Sequence, residues 1–479
     1  MRCRIRLLTF VGWLAFGAMS VQGQQTASMK QFSKTPPDIQ HLPAVMGVLT
    51  PCDDGSAGPY ACNEVDLLAF VPLSTFGSGS ANDIWGWTDP VTGNEYALIG
   101  LNNGTGFVDV TDPVNPVYLG KLPTHTSSSS WRDIKVYADH AFIVSEASGH
   151  GMQVFDLTQL RNVVAPPVTF VKAAHYDDVG GVHNIVINED SGFAYTVGGA
   201  TCSGGLHMIN IQNPTHPTFA GCFSGDGSTH DAQCVIYTGP DTEHLGKEIC
   251  FNSNGDTVTI VDVSDKASPI QLSRTSYPNV GYVHQGWLTD DHAFFYQDDE
   301  LDGGNTRTLI WDVPDLDNPA LPTEYFAATT SRDHNLYVVD DRVYETNYTT
   351  GLRVLDITDR LNPVEVAFFD TYTPNDGFSF SGAWSNYPFF ASGVVIVSSI
   401  GEGLFVLLPR VGPRTRYVAP GGSNAGNCIN PGSPCATIAH AVSQANDGDT
   451  LDIAAGLYLE PGLVFGKELT IEGAGVVVR

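Results

Sequence analysis

The chain has 479 residues, with 23 Lys and Arg against 52 Asp and Glu, and a formal net charge of −29. That excess of acid is repelled by phosphate backbones and anionic membrane surfaces, which argues against nucleic acid as a partner. Only 16% of residues are charged, while 50 are Gly and 29 are Pro, a mix that suits short strands joined by turns.

The first residues carry the pattern of an export signal, over residues 1–23. Arg2, Arg4 and Arg6 precede an uncharged apolar run over residues 7–19, and Val21-Gln22-Gly23 sets small residues before a cut at Gln24. The run is too short to favour a membrane span, and no later segment reads as transmembrane. Of nine cysteines, Cys3 lies in this leader. The others fall into near-neighbour couples, Cys52/Cys62, Cys202/Cys222, Cys234/Cys250 and Cys428/Cys435, as expected of disulfides in an exported chain. None has the C-x-x-C spacing of a redox motif or zinc knuckle.

After residues 24–64, expected as a linker, the chain repeats itself. A strand followed by an acidic turn recurs as FVDVTDPVNPVYLG from Phe107, IVDVSDKASPIQLS from Ile260 and VLDITDRLNPVEVA from Val354. Weaker copies are VFDLTQL from Val154, MINIQNPTHPTFAG from Met208 and IWDVPDLDNPALPT from Ile310. The shared polar position is Asp109, Asp156, Asn210, Asp262, Asp312 and Asp356, at spacings of 44 to 54 residues. A seventh copy, FVLLPR from Phe405, has Leu407 there.

Two further strands precede each copy, as in DIKVYAD and AFIVSEA, so the unit is four short strands, A to D. This is the period of a propeller blade. The seventh unit, over residues 380–409, has no D strand after it, and VDLLAFVPLSTFG from Val65 has the missing pattern. The expected fold is all-β: a seven-bladed β-propeller over residues 65–410, closed by its own N-terminal strand.

The phrases FVDVTDP, IVDVSD and VLDITD resemble the LVIVD repeat. Their arrangement after a leader, with YQDDELDGGNTRTLIWDV from Tyr296, resembles the choice-of-anchor B family of exported bacterial proteins. The resemblance covers roughly residues 51–409. It implies a secreted or surface-displayed propeller with a variable anchoring module, and it brings no established activity. Residues 415–479 resemble the opening of a right-handed parallel β-helix of the pectate-lyase type. The shared features are the Tyr417-Val418 strand, the Thr437-Ile438 helix start, the Gly448-Asp449-Thr450 turn and Gly456-Leu457-Tyr458. A short amphipathic helix over residues 436–445 is expected to cap the coil. The lyase family's catalytic residues sit in later coils, so no lyase activity carries over.

Aligned A strands begin with a polar column: Asn82-Asp83, Arg132-Asp133, His183-Asn184, His230-Asp231, His284-Gln285 and His334-Asn335, with Gly382-Ala383 in the seventh blade. Because A strands line a propeller's channel, His183, His230, His284 and His334 are expected around one axis. Converging neutral imidazoles suit a divalent metal ion, the one cofactor the sequence suggests. The B–C loops should bring Glu146, Asp298, Asp299, Glu300 and Glu345 to the same face. With Arg132, Asp133 and Asp231 these form the candidate ligand set. The competing reading is structural, with the same polar positions hydrogen-bonding strand edges between blades. Arg132 counts against a full metal ring and is expected to pair with Asp133 or an anion.

No Gly-x-Ser-x-Gly elbow, His-Glu-x-x-His helix or P-loop is present. The leading expectation is a non-catalytic exported binding scaffold, with protein, glycan or a metal ion as partner. The alternatives are a metalloenzyme with an axial His-bound metal, and a carbohydrate-binding or carbohydrate-degrading protein acting through the C-terminal segment.

Overall fold

Alternating apolar residues in runs of four to eight build short antiparallel strands here, and each blade buries its two faces against its neighbours. A computed structural model describes residues 42–478, apart from 413–414, 425–427, 429–430, 432–433, 446–447 and 468. The expected leader and the first part of the expected linker lie outside the described residues. The strands form a seven-bladed β-propeller. The A strands of blades one to seven are Ala81–Thr88, Arg132–Tyr137, Asn184–Asn188, Asp231–Ile236, Val283–Leu288, Leu336–Val339 and Ala383–Tyr387. Between blades the contacts are aromatic: Phe107 of blade one stacks on Phe155 of blade two at 4.4 Å, and Phe251 of blade four on Phe295 of blade five at 5.3 Å.

In blade seven the outer strand comes from the other end of the chain. Val65–Pro72 pairs antiparallel with Gly403–Pro409, from Val65 opposite Pro409 to Pro72 opposite Gly403. Residues within the expected linker also join the sheets. The hairpin of Ser56–Ala57 and Tyr60–Asn63, tied by the Cys52–Cys62 disulfide, adds to Val364–Phe369 at the rim of blade six.

The repeat has a local cause. In five copies the shared side chain accepts a hydrogen bond from the backbone N–H two residues on: Asp109 from Thr111, Asp156 from Thr158, Asn210 from Gln212, Asp262 from Ser264, all at 3.0 Å, and Asp356 from Thr358 at 2.8 Å. Asp and Asn carry the acceptor at the length that favours this turn, which Ser and Thr make only more weakly. Asp312 lacks the bond because the residue two ahead is Pro314, which has no N–H. The turn then sends the chain into a bulged D strand in blades one, three, four, five and six, and the Val65–Pro72 strand of blade seven is bulged as well.

Blade two departs from the pattern. After Met152–Asp156 the chain makes a 3₁₀ turn over Leu157–Asn162, then lays Val168–Thr169 parallel to the outer strand of blade one. It returns only at Ala174–Tyr176 to supply the fourth strand. The three remaining cysteine couples, Cys202–Cys222, Cys234–Cys250 and Cys428–Cys435, are also disulfides.

Residues after 414 form a separate small core around Val418, Ile438, Leu451 and Tyr458. There Thr415–Val418, Thr450–Ile453 and Thr470–Glu472 pair in parallel, and Gly456–Tyr458 pairs in parallel with Val476–Val478. The helix Ile438–Gln444 is capped by the Thr437 hydroxyl, which accepts from the His440 N–H at 3.2 Å. Among the described residues no helix is long and apolar enough to cross a membrane.

Replacing Asp109 by Ala should destabilise the propeller by about 1 kcal/mol, whereas Asp312→Ala should cost well under half of that. Chemical denaturation of the two variants measures the difference. Equal losses would show that the turn bond is not what the repeat preserves.

Candidate functional site

The inner edges of the A strands splay apart around the axis and need partners for their backbone groups. Side chains of the preceding blade supply them. Asp83 accepts from the Ile134 N–H at 3.3 Å, and Asp133 from Ile185 at 2.6 Å. Asn184 donates to the His230 carbonyl at 3.1 Å, and Gln233 accepts from Leu288 at 2.7 Å. Gln285 meets both the N–H and the carbonyl of Leu336, at 2.9 and 3.0 Å. Asn335 donates to the Trp384 carbonyl at 3.2 Å.

The four histidines stand side by side along this seam. Ring centroids are 4.4 Å apart for His183–His230, 4.2 Å for His230–His284 and 4.4 Å for His284–His334. In blade seven the neighbour of His334 is Trp384, at 5.2 Å, rather than the Gly382-Ala383 expected from sequence. The indole continues the aromatic column, but Trp384 breaks the His-plus-polar pair that marks this position in blades three to six.

Each imidazole uses Nδ1 to hold itself. His230 Nδ1 bonds the His284 carbonyl at 2.8 Å and His334 Nδ1 the Trp384 carbonyl at 2.6 Å. A carbonyl only accepts, so both Nδ1 atoms carry the proton and both Nε2 atoms offer a lone pair. His284 Nδ1 faces the Asp298 carboxylate at 3.0 Å, and His183 Nδ1 faces Glu146 at 2.7 Å.

These partners divide the charge. Burial alone would lower His284, but Asp298 and Glu300 outweigh it and raise it to about 9. His183 is raised for the same reason, Glu146 overcoming burial. Burial, then the cationic neighbour His284, holds His230 and His334 well below the usual imidazole range.

The expected acids separate into groups. Glu146 and Asp298 orient histidines, and Glu300 lies with its Oε1 4.0 Å from His334 Nε2 while accepting from the Tyr348 hydroxyl at 2.7 Å. Asp299 is held away from the column by the Arg307 guanidinium at 2.8 Å, the Tyr277 hydroxyl and two backbone N–H groups. Glu345 accepts from Thr308 at 2.6 Å and Asn347 at 3.1 Å, and burial raises it to about 7. Arg132 reaches the Leu101 carbonyl, Thr124 and His150, not Asp133. Asp133 instead pairs with Lys135 at 2.6 Å.

One step further along the A strands lies a cavity of about 400 Å³ to which all seven blades contribute. Its wall includes the equivalent A-strand position of all seven blades, Trp85, Lys135, Val186, Gln233, Trp287, Tyr337 and Tyr387, which lie two residues beyond Asp83, Asp133, Asn184, Asp231, Gln285, Asn335 and Ser385. Trp85, Trp287, Tyr337, Tyr387 and Phe389 make one wall aromatic, with centroids 5.1–6.1 Å apart. Lys135, Asn188, Asp231 and Gln233 make the other polar. Burial and Asp133 raise Asp231 to about 7, and Glu189 and Asp190 also line the space. Strand alternation could have revealed this set, since it is the next inward-facing position after the polar pair.

A family model described as the LVIVD repeat matches residues 252–275. The chain carries an LVIVD repeat. The matched segment is the end of the second strand, and the third and fourth strands, of blade four, with the Asp262 turn between them. No curated protein matches the chain.

Gln285→Ala should cost about 2–3 kcal/mol, because it strands both backbone groups of Leu336 in the interior. Thermal or denaturant unfolding checks this. A loss below about 0.5 kcal/mol would show that the seam does not depend on these bonds.

Proposed function

We propose that the chain is an exported, non-catalytic binding propeller that seats a small organic ligand in its axial cavity. The observation that carries this reading is the two-sided wall, aromatic on blades one, five, six and seven and polar on two, three and four. A flat apolar ring packs against the first side while a polar edge meets Asn188, Asp231 and Gln233. The acids Asp231, Glu189 and Asp190 outnumber Lys135, whose ammonium is already held by Asp133, so the ligand carries a neutral or positive head.

Export is supported by the four disulfides, which persist in oxidising compartments, together with the leader expected from residues 1–23. In this reading Val65–Pro72 closes the ring, and the parallel strands after residue 414 open a β-helix-like module that serves for anchoring.

The test uses the full chain and its tryptophan fluorescence, titrated separately with benzyltrimethylammonium and with benzoate. Saturable quenching by the cation, absent with benzoate and lost in Trp287→Ala, is expected. No saturable change with the cation, or equal affinity for benzoate, would overturn the ligand assignment.

A further inference from the structure

We propose that His284, His334 and Glu300 form a binding site for one divalent transition-metal ion at the start of the A strands. This site is independent of the cavity reading, and either can fail without the other.

One donor atom from each of the three residues lies within 4.8 Å of the other two. Ligand atoms around a tetrahedral ion with bonds of about 2.1 Å stand about 3.4 Å apart, so the cluster needs only a small contraction. All three residues are at most 4% exposed. The set is two imidazoles and a carboxylate, a combination that suits zinc or ferrous iron and leaves coordination positions open.

His334 stands ready for this use, and His284 joins it by releasing its Nε2 proton to solvent as the ion binds. Nδ1 of His334 is spent on the Trp384 carbonyl and Nδ1 of His284 on the Asp298 carboxylate, the outer contacts that fix the tautomer and aim of a metal-bound imidazole. Their Nε2 atoms make no hydrogen bond among the described residues. Glu300 is held on Oε1 by Tyr348, and its main-chain carbonyl accepts from Arg332 at 3.1 Å. His183 and His230 fall outside the cluster, which narrows the four-histidine expectation to two histidines and an acid.

A rival group, Asp241, His244 and Asp317, is already satisfied internally. Both nitrogens of His244 are engaged, with Asp317 at 3.1 Å and Lys247 at 3.1 Å. Cys428 and Cys435, grouped with His440, are joined in a disulfide.

The full chain, stripped with a chelator and dialysed, is titrated with cobalt(II) by visible absorption and with zinc(II) by calorimetry. One equivalent should bind. His334→Ala should abolish uptake, and Glu300→Gln, which keeps the shape, should weaken it at least about tenfold. His244→Ala should leave stoichiometry and affinity unchanged, and thermal unfolding establishes that each variant is folded. Absence of stoichiometric uptake by the unmodified chain overturns the proposal. So does uptake unaffected by Glu300→Gln and His334→Ala, or uptake lost in His244→Ala.

Discussion

The structure depends on one recurring contact, in which a polar side chain near the start of one A strand hydrogen-bonds the backbone of the next blade. Around a propeller axis the innermost strands diverge, so their facing N–H and C=O groups cannot pair with each other. Each such group left buried and unpaired costs about 1–3 kcal/mol. Asp83, Asp133, Asn184, Gln233, Gln285 and Asn335 remove that penalty from successive seams. The aromatic contacts between blades, such as Phe107 on Phe155 and Phe251 on Phe295, add buried area beside these bonds.

The histidine column is a by-product of this stitching and also its point of departure. His230 and His334 use Nδ1 as Asn or Gln would use an amide, to reach the next blade. An imidazole differs from an amide in having a second nitrogen on the far side of the ring. The structural and the ligand-binding readings of the column are therefore compatible. Acids at or just past the ends of second strands then divide the four rings: Asp298 and Glu146 favour charge on His284 and His183, while His230 and His334 stay neutral.

The blade repeat was legible in the sequence because its turn needs Asp or Asn at a fixed place followed by a free N–H. Asp312 keeps the residue though Pro314 removes the donor, and the pattern was readable there even without the bond. What was not legible follows from side chains that carry no pattern of their own. Trp384 occupies the column with an indole, so the polar alignment slipped to Gly382-Ala383. The detour of blade two, through Val168–Thr169, has no counterpart in the other copies. The roles of the acids depended on contacts from distant strands: Arg307 claims Asp299, and Thr308 with Asn347 claims Glu345. The cavity residues stand one alternation beyond the polar starts of the A strands, and Trp, Lys, Val, Gln and Tyr at that position share no residue type that would mark it.

The central claim is that side chains of one blade protect the inner backbone of the next. Amide hydrogen exchange, resolved to individual residues, tests it most directly at Ile185, Leu288 and Leu336, whose N–H groups are bonded only across a seam. The account predicts that these amides exchange through global unfolding, as slowly as those paired within the sheets. Rapid exchange at these three positions, with the sheet amides still protected, would contradict it.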